Sequence, residues 1–177
     1  MERKKLSAEE MGRISVEDFK KSGKTPVVLV LDNIRSMSNI GSMFRTADAF
    51  RLEKMFLCGI TAVPPHREIN KTALGATESV DWQYSPSTAD CIRSLKAQGY
   101  TVYALEQTEN SVKLQDFALK QTPLALVAGN EVEGVQQEVI DLCDNVIEIP
   151  QFGTKHSFNV SVSCGICLWE IIKQIKF

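Results

Sequence analysis

Five short apolar runs, at residues 27–31, 55–59, 101–105, 124–128 and 146–149, recur along the chain and constrain its fold more than any other feature. Each is rich in β-branched or aromatic residues and each gives way to a turn signal. Unbroken apolarity over about five residues describes a strand covered on both faces, which is the environment of a parallel sheet. Between the runs the apolar spacing shifts to the helical period, over residues 40–50, 88–98 with Gly99 closing the segment, 135–142, and about 159–175. The alternation predicts an α/β fold, a mostly parallel sheet flanked by helices. A stretch at 61–80 breaks the rhythm with Pro64-Pro65; it reads as a lid or substrate loop carrying one short helix near Asn70 to Leu74.

A chain of 177 residues, 44% of them hydrophobic, is long enough to bury one sizeable core without covalent staples. Residues 1–25 read as a short N-terminal helical extension, with Ser7 and Glu10 in capping-box spacing, and residues 26–177 as a single domain. No run has the length of a membrane span and no leader pattern is present. The five cysteines, Cys58, Cys91, Cys143, Cys164 and Cys167, lie scattered in apolar segments and read as reduced core thiols, so a cytoplasmic location is expected. The formal net charge of -2 means that any basic binding surface must be local or assembled from two subunits.

Several motifs dissolve on inspection. Gly23-Lys24-Thr25 resembles the end of a phosphate loop, but it precedes a strand instead of following one, and Asp18 stands where the loop needs glycine. Cys164 and Cys167 have redox or zinc spacing, yet they fall in mid-helix, where core packing accounts for them. His66 and His156 are too few for a metal site.

Three polar turns survive, each at the carboxyl end of an expected parallel strand. The first holds Asn39 and Arg45. By itself it reads as a helix whose N-cap is Asn39 and whose Arg45 pairs with Asp48. The second is Gly129-Asn130-Glu131 followed by Gly134, where glycine permits close approach of a ligand and the acid can orient a polar group. The third is the loop after Pro150 that enters the last helix through Ser157-Phe158-Asn159. Ends of parallel strands gather on one edge of a sheet, so three such turns together point to a site.

The segments "NIGSMFRTA", "GNEVEG" and "IPQFGTKHSFNVSVS" resemble the three ordered motifs of the SpoU (TrmH-like) RNA 2′-O-methyltransferases of the SPOUT superfamily, and "KTALGATESVDW" resembles the stretch between the first two. The similarity runs from about residue 26 to the end. It implies an α/β fold whose C-terminal part is tied in a deep trefoil knot, an exception to the general absence of knots. It implies S-adenosylmethionine held largely by main-chain groups at Leu105, Gly129, Ile149, Ser157 and Phe158. It further implies that Arg45 acts on the ribose hydroxyl, with Asn39, Glu131, Ser157 and Asn159 in support. Structured RNA, tRNA or rRNA, is the implied substrate.

Members of this family are homodimers with the site near the interface, and Ile166, Leu168, Trp169 and Ile172 are candidates to pack the C-terminal helices together. Two positions depart from the family pattern: Gln151 stands for methionine and Phe158 for leucine, which alters the adenine pocket. No separate RNA-binding domain is expected, so RNA capture falls to the dimer surface, the 61–80 loop and Lys4, Lys5, Lys20 and Lys21. Two other readings compete: a non-catalytic RNA-binding or assembly protein that keeps the fold, and a small-molecule α/β enzyme, which rests on fold analogy alone.

Overall fold

The computed structural model describes residues 3–7 and 9–177. Its centre is a seven-stranded sheet of β1 (Thr25–Asp32), β2 (Leu52–Cys58), β3 (Trp82–Ser85), β4 (Thr101–Leu105), β5 (Val112–Lys113), β6 (Leu124–Ala128) and β7 (Asn145–Glu148). The strand order is β3-β2-β1-β6-β4-β7-β5, and every paired neighbour is parallel. All five apolar runs are strands. The two strands that the apolar pattern did not announce, β3 and β5, are short edge strands with half-exposed or exposed residues, where burial does not select apolar side chains.

The helices are α1 (Val16–Lys21), α2 (Met37–Ala49), α3 (Arg67–Ala73), α4 (Ala76–Ser79), α5 (Thr88–Ala97), α6 (Gln137–Leu142) and α7 (Val160–Lys176). They cover both faces of the sheet, so β1 feeds two cores by strict alternation. Val27, Leu29 and Leu31 join the larger core with Ile40, Met43 and Phe44 of α2 and Cys164, Cys167, Leu168 and Ile171 of α7. Val28 and Val30 join the smaller one with Ile92 and Leu95 of α5 and Val139 of α6. Cys164 and Cys167 are wholly buried packing residues, and burial pushes the Cys164 thiol up to about 12.

The N-terminal expectation needs correction. Ser7 and Glu10 do exchange the two capping-box hydrogen bonds, Ser7 N–H to Glu10 Oε2 at 2.7 Å and Glu10 N–H to Ser7 Oγ at 3.2 Å. The box closes only one turn, because Gly12 enters the left-handed region at φ 59°. Helix proper begins at Val16, capped by Ser15, and Phe19 alone plugs it into the core. Residues 1, 2 and 8 of the expected extension lie outside the described residues.

Because the sheet is parallel, the carboxyl ends of β1, β4, β6 and β7 share one edge. β6 lies between β1 and β4, and the loop after β7 meets the end of β4 where Gln107 Nε2 donates to the His156 carbonyl at 2.9 Å. This contact between the loop after β7 and the end of β4 is consistent with the knotted topology expected from the resemblance.

Candidate active site

The carboxyl ends of β4, β6 and β7, with the N-terminus of α7, line a cleft of about 550 Å³. Leu105, Gly129, Glu131, Ile149, Ser157, Phe158 and Asn159, all expected at the site, line it together. The loop after β6 is built by Asn130. Its backbone exchanges hydrogen bonds with Gly134 at 3.0 and 2.9 Å, and its Oδ1 accepts the Val132 and Glu133 N–H groups at 2.9 and 3.2 Å. The two glycines of this loop have different reasons. A Cβ on Gly129 would lie 2.1 Å from the Val135 nitrogen, whereas Gly134 has φ 72°.

Glu131 leaves that loop for the start of α2. Its carboxylate accepts the backbone N–H of Arg35 at 2.9 Å, the backbone N–H of Ser36 at 3.0 Å and the Asn39 amide Nδ2 at 3.0 Å. Burial by itself would raise this carboxyl, but the N–H of Arg35, the amide of Asn39 and the N–H of Ser36 outweigh it and hold the pKa below the usual value. An anion at a helix N-terminus also gains from the helix dipole.

The helix cap itself is not Asn39. Ser36 caps α2, its hydroxyl accepting the Asn39 N–H at 3.3 Å. Three residues into the helix, Asn39 has its side chain free for longer reach: Nδ2 donates to Glu131, and Oδ1 accepts from Asn159 Nδ2 at 3.1 Å. Asn159 in turn caps α7 by accepting the Ser161 N–H at 2.9 Å. One polar chain, Glu131–Asn39–Asn159, therefore joins all three motifs.

Arg45 lies elsewhere. Six residues beyond Asn39, it is about 9 Å along the helix axis and some 240° around it. It lines a second, shallower groove of about 590 Å³ with Ser42, Phe50, Lys71, Thr72, Leu74 and Gly165. The expected pairing with Asp48 is not made, since Asp48 Oδ2 accepts from the Ser79 hydroxyl instead. The two depressions differ in charge. Among the described residues, the first is lined by Glu106, Glu131 and Glu133 with no lysine or arginine, and the second by Arg45 and Lys71 with no acid.

Some contributors had no sequence signal strong enough to name them. Glu106, one residue past Leu105, accepts the N–H of Gln107 at 2.8 Å and of Val135 at 3.1 Å and so stitches the β4 end to the β6 loop. Asp32, fully buried, accepts from Thr88 Oγ1 at 2.6 Å, Asn33 Nδ2 at 2.9 Å and the Gln136 N–H at 2.9 Å. An acid immediately after an apolar run is the signal both share. His66 caps α3 through Nδ1, and His156 lines the first cleft.

A model described as the SpoU rRNA Methylase family matches residues 26–169. The chain belongs to this family. It is 32% identical over 168 residues to the 23S rRNA (guanosine-2′-O-)-methyltransferase RlmB of Vibrio parahaemolyticus, across 94% of this chain and 67% of that one. Its fold matches the AdoMet-bound rRNA methyltransferase of Sinorhizobium meliloti with a TM-score of 0.80, at 27% identity, over 90% of this chain and 60% of that one. It also matches the TrmH/SpoU tRNA modifying enzyme of A. aeolicus with a TM-score of 0.78, at 26% identity, over 90% and 79% respectively. The chain spans about three-fifths to two-thirds of the length of the curated relatives RlmB from Ralstonia nicotianae and Vibrio parahaemolyticus.

The family is one of RNA methylases, and the Sinorhizobium meliloti rRNA methyltransferase that the fold matches holds AdoMet, that is, S-adenosylmethionine. The first cleft fits that donor. It has the volume of a cofactor pocket, with Leu105, Ile149, Phe158 and Val160 as apolar wall, and Gly129 keeps the backbone free of a Cβ. The three carboxylates that line it suit a ligand with a sulfonium charge. Gln151 and Phe158, the two departures from the family pattern, both line it, so they shape the wall without closing the cleft.

Proposed function

We propose that this chain transfers a methyl group to a ribose 2′-hydroxyl of structured RNA, rRNA or tRNA, as a cytoplasmic homodimer. The supporting observation is the division of charge: an acidic cleft suited to a cationic donor and a separate basic groove, built around Arg45, suited to a polyanionic acceptor. Residues 26–177 serve as the methyltransferase domain and residues 1–25 as its appendage.

S-adenosylmethionine supplies an electrophilic methyl group on a sulfonium. The protein holds the donor with the main chain at Leu105, Gly129, Ile149, Ser157 and Phe158. Asn39, Asn159 and Glu131 fix the mutual placement of α2, α7 and the β6 loop, so that an acceptor oxygen can stand in line with the methyl. The Arg45 guanidinium stabilises the forming alkoxide electrostatically, and the hydroxyl proton passes to solvent water as the O–C bond forms and the C–S bond of the sulfonium breaks. Since Arg45 and the donor cleft lie apart on one chain, the Arg45 of one protomer serves the cleft of its partner. The exposed stripe of Val162, Ile166 and Trp169 on α7 is the surface for that pairing. Among the described residues no helix is long and apolar enough to cross a membrane.

The test is Arg45→Ala assayed with tritiated S-adenosylmethionine on RNA that lacks 2′-O-methyl groups. Transfer is expected to fall at least a hundredfold while donor affinity by calorimetry stays within about twofold. A variant that methylates at the native rate would remove Arg45 from this role.

A further inference from the structure

The groove around Arg45 is assembled by two helices that approach more closely than ordinary side chains allow. A Cβ on Gly41 of α2 would lie 2.1 Å from Thr72 Oγ1 and 2.2 Å from the Ile69 carbonyl of α3. Thr72 then locks the pair by donating to the Ser38 carbonyl of α2 at 3.0 Å. Gly41 precedes Arg45 by four residues, one helical turn on the same face, and Lys71 immediately precedes Thr72. The close approach at Gly41 therefore brings Arg45 and Lys71 to one groove, which both line. Both side chains are exposed, and among the described residues neither has a carboxylate within ion-pairing distance.

The rest of the lining fits the same kind of ligand. Ser42 and Thr46 bring hydroxyls, while Leu74 is 66% exposed at the rim. Leu74 also holds φ 52°, a conformation that a glycine or asparagine would adopt more cheaply. Two unpaired cations set beside an apolar edge match a nucleotide, with phosphate on the cations and the sugar or base face on the leucine.

We propose that Lys71, paired with Arg45 across the α2–α3 seam, seats a backbone phosphate of the acceptor RNA next to the reacting ribose, and that Gly41 is the positioning residue that makes the seat possible. Lys71 acts in substrate capture, whereas Arg45 also acts on the hydroxyl. This inference rests on the reading of the chain as an RNA methyltransferase.

The experiment uses the full chain and in-vitro-transcribed 23S ribosomal RNA, measuring binding across a salt series alongside steady-state transfer. Lys71→Ala is expected to weaken RNA binding roughly three- to tenfold and to make the plot of log affinity against log salt shallower by about one. The loss should fall on the KM for RNA more than on kcat. Lys71→Arg should restore most of the affinity, and donor binding should be unchanged. Gly41→Ala, which displaces α3 without touching either cation, should reproduce the RNA defect; its helix content by circular dichroism shows whether it is folded.

Unchanged RNA affinity and salt slope in both Lys71→Ala and Lys71→Glu would overturn the proposal while leaving the methyltransferase reading intact. So would a Lys71→Ala variant whose defect is a change of oligomeric state in sedimentation. A native protein that binds the donor but no RNA would overturn both.

Discussion

At the scale of single residues, Glu131 shows how one carboxylate can tie two distant elements together. Its three acceptor contacts hold the start of α2 against the β6 loop. Replacing it with glutamine removes the charge and sets an NH2 group against N–H donors, so Glu131→Gln should cost about 1–3 kcal/mol in chemical denaturation at pH 7. Because the folded pKa lies below the usual glutamate value of 4.5, the stabilisation is fully present above that value and is lost as pH falls through the folded pKa. The stability gap between native protein and Glu131→Gln, measured from pH 7 downward, should therefore narrow below pH 4.5. A gap that stays constant down to pH 3 would show that the carboxylate is not held as described.

Elements add constraints that no residue carries alone. The β6 loop must turn back on itself within the span from Gly129 to Val135, and it does so with the backbone of residue 129 in contact with residues 134 and 135. Gly129→Ala would drive a methyl into the backbone of Gly134 and Val135, so the loop must shift. Donor and S-adenosylhomocysteine affinities should both fall at least tenfold by calorimetry. Native affinity in this variant would mean that the loop does not form the donor's cradle. Helix α7 carries a second element-scale division, since Leu168 is wholly buried while its neighbours Ile166 and Trp169 are 38% and 50% exposed. Of the four residues expected at a helix-packing interface, Leu168 and Ile172 thus belong to the chain's own core, and Ile166 and Trp169 face outward. Leu168→Ala should lower stability by about 2–5 kcal/mol.

For the whole molecule, the decisive fact is that the cleft at the ends of β4, β6 and β7 and the Arg45 groove have separate linings within one chain. The exposed Val162, Ile166 and Trp169 recur at helical spacing on one face of α7, with the Trp169 ring 6.3 Å from that of Phe50. Paired Ile166→Asp and Trp169→Asp substitutions should yield a monomer in sedimentation that still binds the donor but transfers no methyl group. Mixing Arg45→Ala with a donor-cleft variant such as Gly129→Ala should regain about a quarter of native activity, because half of randomly paired C2 dimers are mixed and each has one complete site. No recovery on mixing would place Arg45 and the cleft in the same protomer's reaction.

Much of this was legible in the residues themselves. Runs such as Val27 to Leu31 declare a doubly covered strand because burial on both faces permits only apolar side chains, and the three motifs mark their strand ends because turns demand glycine and polar groups. The edge strands β3 and β5 were not legible, since half-exposed positions carry no such selection. Nor was the capping of α2: Ser36 and Asn39 are both good caps in sequence, and only the arrival of Glu131 from the β6 loop and Asn159 from the start of α7 decides that Asn39 reaches outward. The same holds for Gly41, whose meaning depends on a helix some thirty residues away. Sequence by itself determined the layered fold, the family and the residues that gather at the sheet edge, because those follow from local periodicity and motif chemistry. Tertiary structure alone decided which hydrogen bonds those residues make, which face of α7 is core, and that Arg45 stands apart from the donor cleft, because each depends on how elements far apart in the chain pack against one another.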